Sequence, residues 1–408
     1  MRLLEYQGKD VFRRAGLAVP QARLLTVESP GQCAEAVRTA AGELLQTGGA
    51  EHDAKKPATA GAGPDAAEPA TAGAARVVVK AQVNMGGRGK AGLIKLADSP
   101  DTAAAAAAEI LATPYSVPRL LVEEAVDLER ELYLSISPDA GSARFIVLAS
   151  LEGGVEIEEL ARERPDAIKR LSIDPIAGLQ PYQSRELAYD LGLAGDVARQ
   201  FARLVAALYR VFRDNDAELA EINPVFLTRD GRLVAGDAKL IIDDNSLDRQ
   251  PQFEISREQF ESDAAYESAL EGIPYVQFDG DISLMCAGAG LTTTVYDLVN
   301  FEGGTVANYL EFGGPNYHKA QRAMELCLQN RSKVILVVTF GTIARADVMA
   351  DGVVEAIRNL QPDRPIVTCI RGTNEEAAEQ TLRAAGLEPL FDAEEAVRTA
   401  VALARERA

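Results

Sequence analysis

Histidine is nearly missing from the chain, which holds two, His52 and His318, in 408 residues. Neither stands with a serine and an acid or among other ligand residues, so a Ser–His–Asp catalytic set and a histidine-rich metal site are both excluded. His52 falls in a low-complexity stretch, and His318, in Gly313-Gly314-Pro315-Asn316-Tyr317-His318, reads as a surface residue at a helix start. The four cysteines, Cys33, Cys286, Cys327 and Cys369, form no C-x-x-C pair. That argues against a zinc site and a disulfide framework and favours a reducing, cytoplasmic setting. Positive charge is in deficit: 42 Lys and Arg face 61 Asp and Glu, a net charge of -19 that repels phosphate backbones and anionic membrane surfaces. No nucleic acid is expected as a partner. No apolar run reaches the roughly 18 residues of a membrane span, and the first residues lack an apolar signal segment, so membrane spanning and secretion are not expected either.

What is present suits packed cores. Hydrophobic residues make up 47% of a chain long enough for two or three domains. Residues 46–75 are almost all Ala, Gly, Pro, Thr, Glu and Asp, too little apolar surface to offset the entropy of ordering, and are expected as a flexible surface insertion. Around that insertion, residues 1–247 mix short strands with helices such as Arg185–Asp214 and form a first domain. A linker rich in charge and Gln spans 248–270. Residues 271–408 alternate apolar strands, near Ile282–Cys286, Ala307–Phe312, Val334–Phe340 and Pro365–Ile370, with helix-like segments. Such alternation implies parallel strands covered by helices on both faces, a doubly wound α/β domain.

Four stretches carry chemistry. Gly86-Gly87-Arg88-Gly89-Lys90-Ala91-Gly92 follows the Val77–Val83 strand and runs into another strand, Leu93-Ile94-Lys95-Leu96. A dinucleotide fingerprint must open a helix, and a Walker A loop needs Gly where Asn84 stands and Ser or Thr where Ala91 stands, so neither applies. What remains is a glycine-rich hairpin tip whose backbone amides, with Arg88 and Lys90, suit phosphate oxygens; an ordinary basic turn would read the same. The second stretch, Glu221-Ile222-Asn223-Pro224, leads through Val225-Phe226-Leu227 to Asp230-Gly231, a strong hairpin signal, and back along Leu233 to Lys239. Centring the turn on Asp230 sets Asn223 beside Asp237 and Glu221 beside Lys239, all on one face. An amide oxygen and a carboxylate so placed suit Mg²⁺, although a solvated strand face with one ion pair fits the same pattern. Third, Glu123 and Glu131 flank Ala125-Val126-Asp127-Leu128, where acids between strands ordinarily face solvent. Fourth, Cys286-Ala287-Gly288-Ala289-Gly290-Leu291 is a strand, a turn of small residues and a helix start, a place for anions at the C-terminal edge of the doubly wound sheet. Phe340-Gly341-Thr342-Ile343-Ala344-Arg345 should share that edge.

In order and spacing these stretches, with Leu4-Glu5-Tyr6-Gln7, Val79-Lys80, Glu152-Gly153-Gly154-Val155-Glu156 and Pro181-Tyr182-Gln183, resemble the beta-subunit family of succinate–CoA ligases over nearly the whole chain except 46–75. The resemblance implies an N-terminal ATP-grasp fold followed by a flavodoxin-like doubly wound CoA-ligase domain. It implies that Lys80, Gly87, Arg88 and Gly89 hold the phosphates of ATP or GTP, that Glu123, Val126 and Glu131 line the adenine and ribose pocket, and that Asn223 and Asp237 bind Mg²⁺. Glu221 matches the acid that meets a phosphorylated histidine of an alpha subunit, which also carries the CoA-binding domain. Ala287, Gly341, Thr342 and Ile343 match the region that takes the small acid. The implied activity is an ADP- or GDP-forming ligation of succinate to CoA, a step of the tricarboxylic acid cycle, by way of the phosphohistidine and an acyl phosphate. Three departures lie near the acid. The family reads Asn-Gly-Ala-Gly where this chain has Ala287-Gly288-Ala289-Gly290, three glycines and Ala where it has Gly313-Gly314-Pro315-Asn316, and Phe-Gly-Gly-Ile-Val-Arg-Cys-Asp where it has Phe340 to Asp347. A site that hydrogen-bonds one ligand rejects another strongly, so malate or another small carboxylic acid, or a non-catalytic nucleotide-binding subunit, are the alternatives.

Overall fold

The computed structural model describes residues 1–53, 76–341 and 344–407. It divides into two units between Glu254 and Ile255, inside the expected linker. Of that linker, Asp263–Leu270 is helical in the second unit, begun by Ser262, whose side chain accepts from the Ala265 amide. Among the described residues no helix is long and apolar enough to cross a membrane.

The first unit runs α1 (Glu5–Arg14), β1 (Ala22–Thr26), α2 (Pro30–Asp53), β2 (Val77–Ala81), β3 (Ile94–Ala97), α3 (Pro100–Leu111), β4 (Arg119–Glu124), β5 (Leu128–Asp139), β6 (Arg144–Ser150), α4 (Ile157–Glu163), β7 (Ile168–Ile173), α5 (Pro181–Asp190), α6 (Gly195–Asp214), β8 (Ala217–Thr228), β9 (Leu233–Ala235) and β10 (Lys239–Ile242). Helix α2 continues to Asp53, so the first residues of the expected insertion are helical. Residues 54–75 lie outside the described residues. The expected continuous helix over Arg185–Asp214 is two helices. Gly192, at φ +78°, ends α5, and Leu193 N–H bonds back to Ala188 O at 3.0 Å, a left-handed stop that glycine takes without a Cβ penalty.

Two antiparallel sheets build this unit, one ordered β1-β4-β2-β3 and one ordered β10-β8-β5-β6-β7 with β9 on β8. Alanines of α3 (Ala103, Ala106, Ala107) bring it close to α2, and with Ile110, Val37 and Val79 they fill one core. Ser99 caps α3 ahead of Pro100, supplying an acceptor for the Thr102 amide. In α6, Ala198, Phe201, Val205, Leu208 and Phe212 recur at helical spacing and bury one face against Leu132, Leu134, Ile222 and Val225 of the larger sheet.

The second unit holds α7 (Asp263–Leu270), β11 (Tyr275–Gln277), β12 (Ile282–Cys286), α8 (Ala289–Phe301), β13 (Val306–Leu310), α9 (Ala320–Leu328), β14 (Val334–Gly341), α10 (Ala346–Leu360), β15 (Ile366–Gly372), α11 (Glu375–Ala384) and α12 (Ala393–Glu406). Its sheet is ordered β11-β13-β12-β14-β15. The four expected strands are all present and mutually parallel; the short edge strand β11, antiparallel to β13, was not foreseen. Alternation along β14 sends Ile335 and Val337 into a core with α9 and α10, and Leu336 and Val338 into a second core with α8 and α12. Helices therefore cover both faces, and β12, with chain continuing to either side of it, ends at the switch point where doubly wound sheets place ligands.

Phe201 is fully buried under the larger sheet. Phe201→Ala is expected to lower the unfolding free energy of the first unit by about 3–5 kcal/mol, the cost of a large-to-small core cavity, as read from urea unfolding; a loss below about 1 kcal/mol would contradict the packing of α6 given above.

Candidate functional site

Of the predicted residues, Lys80, Arg88, Glu123 and Asp237 gather between the smaller sheet and the β9–β10 turn of the larger one. Lys80, on β2, is buried and ion-pairs with Glu5 at 2.9 Å and, more closely, with Glu123 of β4. Its ammonium also donates to Gly236 O at 3.0 Å, tying the smaller sheet to the β9–β10 turn. Arg88, from the turn between β2 and β3, reaches Glu5 at 2.6 Å and Asp237 at 2.9 Å. Lys9, one helical turn after Glu5 on α1, pairs with Glu5 and Glu123, each at 2.7 Å. Three cations thus face three carboxylates, and none of Glu5, Lys9, Lys80, Arg88 and Glu123 is more than 9% exposed.

Charges this far from water persist only when each is paired. Burial pushes the Glu5 carboxyl up, but Lys80, Lys9 and Arg88 together pull it well below the usual carboxylate range. Burial likewise works against the Lys80 ammonium, and Glu123, Glu5 and Asp237 outweigh it, so its pKa is raised. Sequence reasoning matched Glu5 only as part of a motif and passed over Lys9 altogether. The available signal was that both stand on the α1 face shared by buried Gly8 and Phe12, where an apolar residue is expected.

The hairpin register agrees with the sequence. Glu221 pairs with Lys239 and Val225 with Ala235, a single offset that places Asn223 opposite Asp237. Between Leu132 and Leu134 of β5 the register shifts, so that Tyr133 alone opposes Asn223 and Pro224. Such a bulge re-aims side chains. Here Asn223 Oδ1 accepts from Gly154 N–H at 2.7 Å and Asn223 Nδ2 donates to Val155 O at 3.0 Å. Glu131 lies against the same turn: a Cβ on Gly154 would come within 2.1 Å of Glu131 Oε2, and one on Gly153 within 2.3 Å of Leu132 O. Burial raises the Glu131 pKa. Val126, in the β4–β5 connection, is half-buried. Glu123 is committed to the two lysines, so in this state its carboxylate does not line an open pocket.

Burial also raises the Glu221 carboxyl; Lys239 and a hydrogen bond from Tyr133 oppose this, while Asp237 and Glu158 add to it. The Tyr133 hydroxyl, 2.9 Å from Glu221 Oε2, was not singled out in the sequence, and its pKa is raised by burial and by that neighbouring carboxylate.

The turn between β2 and β3 fits a phosphate group. At Gly86 and Gly89 an added Cβ would meet nothing within 4 Å, and φ is not in the left-handed region. Nothing in the protein's own packing requires glycine there, whereas a ligand approaching the backbone amides would. Asn223 and Asp237 fit Mg²⁺ as hard oxygen donors, and the Asp237 side chain remains 31% exposed. A separate cavity of about 670 Å³, lined by Tyr6, Arg13, Leu24, Arg210 and Phe253 among others, contains none of the predicted site residues.

In the second unit Ala287 follows β12, its N–H bonding Val338 O at 3.1 Å, and Gly341 ends the adjacent β14. A Cβ on Gly341 would lie 1.9 Å from Ala344 O, so there is no room for a side chain at that position. The structure thus brings Ala287 and Gly341 to neighbouring strand ends; Thr342 and Ile343 lie outside the described residues. Gly288, at φ +91°, turns the chain from β12 into α8.

Glu5→Gln would leave three buried cations facing two carboxylates and is expected to cost about 3–5 kcal/mol in urea unfolding. The depressed Glu5 carboxyl contributes stability that is present above its ordinary value of 4.5 and lost as pH falls below it. The raised Lys80 ammonium contributes stability that is present below its ordinary 10.5 and lost as pH rises above it. Unfolding measured across pH should therefore show the acid-side decline flattened in the Glu5→Gln variant; an unchanged decline would remove Glu5 from the network.

Comparison with known proteins follows the same division. The ATP-grasp domain family matches residues 39–227 and the CoA-ligase family residues 285–403. The ADP-forming sulfoacetate-CoA ligase subunit SqwK of an Acholeplasma species is 58% identical over 328 residues, 80% of this chain and 82% of its own. Subunit SauC of the same kind of ligase from Bilophila wadsworthia is 51% identical over 408 residues, covering 100% of both chains. Subunit beta of the ADP-forming succinate–CoA ligase of Ignicoccus hospitalis is 40% identical over 99% of this chain and 100% of its own. Among solved structures, ATP citrate lyase from Methanothrix soehngenii in complex with citrate and coenzyme A shares the fold at a TM-score of 0.69, with 20% identity and 99% of each chain covered. An ATP-grasp domain followed by a CoA-ligase domain, end-to-end likeness to ligase subunits, and the paired charges beside an open glycine turn lead to one conclusion: the chain belongs to the family of ADP-forming CoA-ligase beta-type subunits.

Proposed function

We propose that this chain is the nucleotide-binding subunit of an ADP-forming acid–CoA ligase whose acid is sulfoacetate rather than succinate, acting with an alpha subunit that carries the CoA-binding domain and a phosphorylated histidine. The observation that carries the nucleotide half is the Lys80–Arg88–Asp237 group beside the open turn at Gly86 to Gly89. Lys80, Arg88 and the amides of Gly87 and Gly89 would take the phosphates of ATP, and Glu123, Val126 and Glu131 the adenine and ribose. Asn223 and Asp237 would hold Mg²⁺, which when bound offsets charge on the phosphates. Glu221 would meet the alpha-subunit histidine as the phosphoryl group passes to it.

For the acid, support comes from the two sulfoacetate-CoA ligase subunits at 58% and 51% identity, against 40% for the succinate ligase subunit. Departures from the succinate-family pattern, Ala287 and then Thr342, Ala344 and Ala346, fall in the stretches matched to the acid. Replacing an asparagine amide by the Ala287 methyl withdraws a hydrogen-bonding group, and a sulfonate has three oxygens in tetrahedral array where a carboxylate has two in a plane. A site fitted to one should discriminate against the other.

Three outcomes are expected. The isolated chain, given ATP, CoA and acid, forms no acyl-CoA until a matching alpha subunit is added; turnover by the chain alone would refute the division of labour. In the reconstituted complex, kcat/KM for sulfoacetate exceeds that for succinate, malate and itaconate by roughly 10- to 100-fold, and a preference for succinate would return the reading to that acid. Asp237→Ala abolishes Mg²⁺-dependent labelling of the alpha subunit from ATP, whereas undiminished labelling would move the metal elsewhere.

A further inference from the structure

Glu221 is gripped from one side. On β8 its backbone lies between Ser135 of β5 and Lys239 of β10. Tyr133, two residues before Ser135, projects to the same face, and the bulge at Asn223 and Pro224 brings its phenol diagonally onto the glutamate. The Tyr133 hydroxyl donates to Glu221 Oε2 at 2.9 Å. Tyr133 is only 2% exposed, so packing fixes where the hydroxyl stands. Lys239 is a looser neighbour: its ammonium is 4.0 Å from Glu221 Oε1 and its side chain is 42% exposed, a geometry worth little in water. One carboxylate oxygen is therefore committed to a buried neutral donor, and the other is left to an incoming group.

We propose that Tyr133 is a positioning residue for phosphoryl transfer, holding Glu221 Oε2 so that Oε1 faces the alpha-subunit histidine. The terminal torsion of a glutamate is broad, and a single donor on one oxygen narrows it without cancelling the negative charge that a cation would neutralise. Because misplacement by about 1 Å can cost on the order of a hundredfold in rate, a buried phenol that orients this carboxylate has a kinetic effect without touching the reacting atoms. The proposal rests on the role given to Glu221 above.

The test is single-turnover transfer from ATP to the alpha-subunit histidine in the reconstituted complex, for Tyr133→Phe, Glu221→Gln and the double variant, with Mg-nucleotide affinity measured by calorimetry. Tyr133→Phe keeps the buried ring. It is expected to slow transfer roughly ten- to a hundredfold while leaving nucleotide affinity unchanged, and the double variant should be no slower than Glu221→Gln alone, since tyrosine acts only through the glutamate. Wild-type speed for Tyr133→Phe beside a slow Glu221→Gln would overturn the positioning role and leave Glu221 in place. Additive losses in the double variant, or a weakened nucleotide affinity, would overturn it as well. A Glu221→Gln complex as fast as wild type would remove the role of Glu221 and the proposal together.

Discussion

The first unit depends on a charge balance. Glu5, Glu123 and Asp237 answer Lys9, Lys80 and Arg88 where α1, two sheets and two turns converge, and nearly all of these groups are withheld from water. The desolvation of so many ions outweighs any single contact, so the arrangement is stable only as a set. This explains why a motif at the very start of the chain belongs to the same chemistry as a glycine turn near residue 88 and a hairpin near residue 230. The cluster also contains groups proposed for the nucleotide and its cation: Lys80, Arg88 and Asp237 are kept charged and in place by their pairing with one another and with Glu5, a buried acid assigned no ligand.

Beside it, a second device works by shape. The bulge opposite Tyr133 sends Asn223 towards Gly154 and Val155, and the near-contact of Gly153 with Leu132 O and of Gly154 with Glu131 closes that turn upon the strand. Backbone geometry sets the position of Asn223, whereas the neighbouring charge balance sets that of Asp237. Two unlike constraints thus aim the two groups read as metal ligands.

Much of this was legible in the residues. Centring the turn on Asp230 gave the offset between β8 and the strands that return along it, and the chain turns there through three residues, with Thr228 N–H bonded to Arg232 O and Gly231 at φ +81°. Strands β12 to β15 stood out as apolar stretches alternating with helix-like segments, the Val334–Val338 run being β-branched. Other features were hidden for physical reasons. Glu5 and Lys9, spaced four apart, look like an ordinary exposed helix pair; what buries them is Lys80, Glu123 and Arg88, which no local pattern links to them. The break in the expected helix over Arg185–Asp214 turned on Gly192, and an isolated glycine is tolerated in helices too often to decide a boundary. Tyr133 gave no sign because its partner stands across a register shift. The acid was obscured for a different reason: Ala287 reports a group taken away, and a loss of hydrogen bonding says less about its replacement than a gain would.

The span of the charge balance along the chain shapes how this unit is made. Arg88 and Asp237 are 149 residues apart, and Lys80 donates to a carbonyl 156 residues further on. At ribosomal rates, Glu5 therefore waits on the order of tens of seconds before Asp237 has been synthesised. During that interval Glu5 and Lys9 can meet Lys80 and Glu123, but Arg88 still lacks its second carboxylate. The set is complete only once the turn that carries Gly236 and Asp237 has been made, well after the helix that carries Glu5 and Lys9.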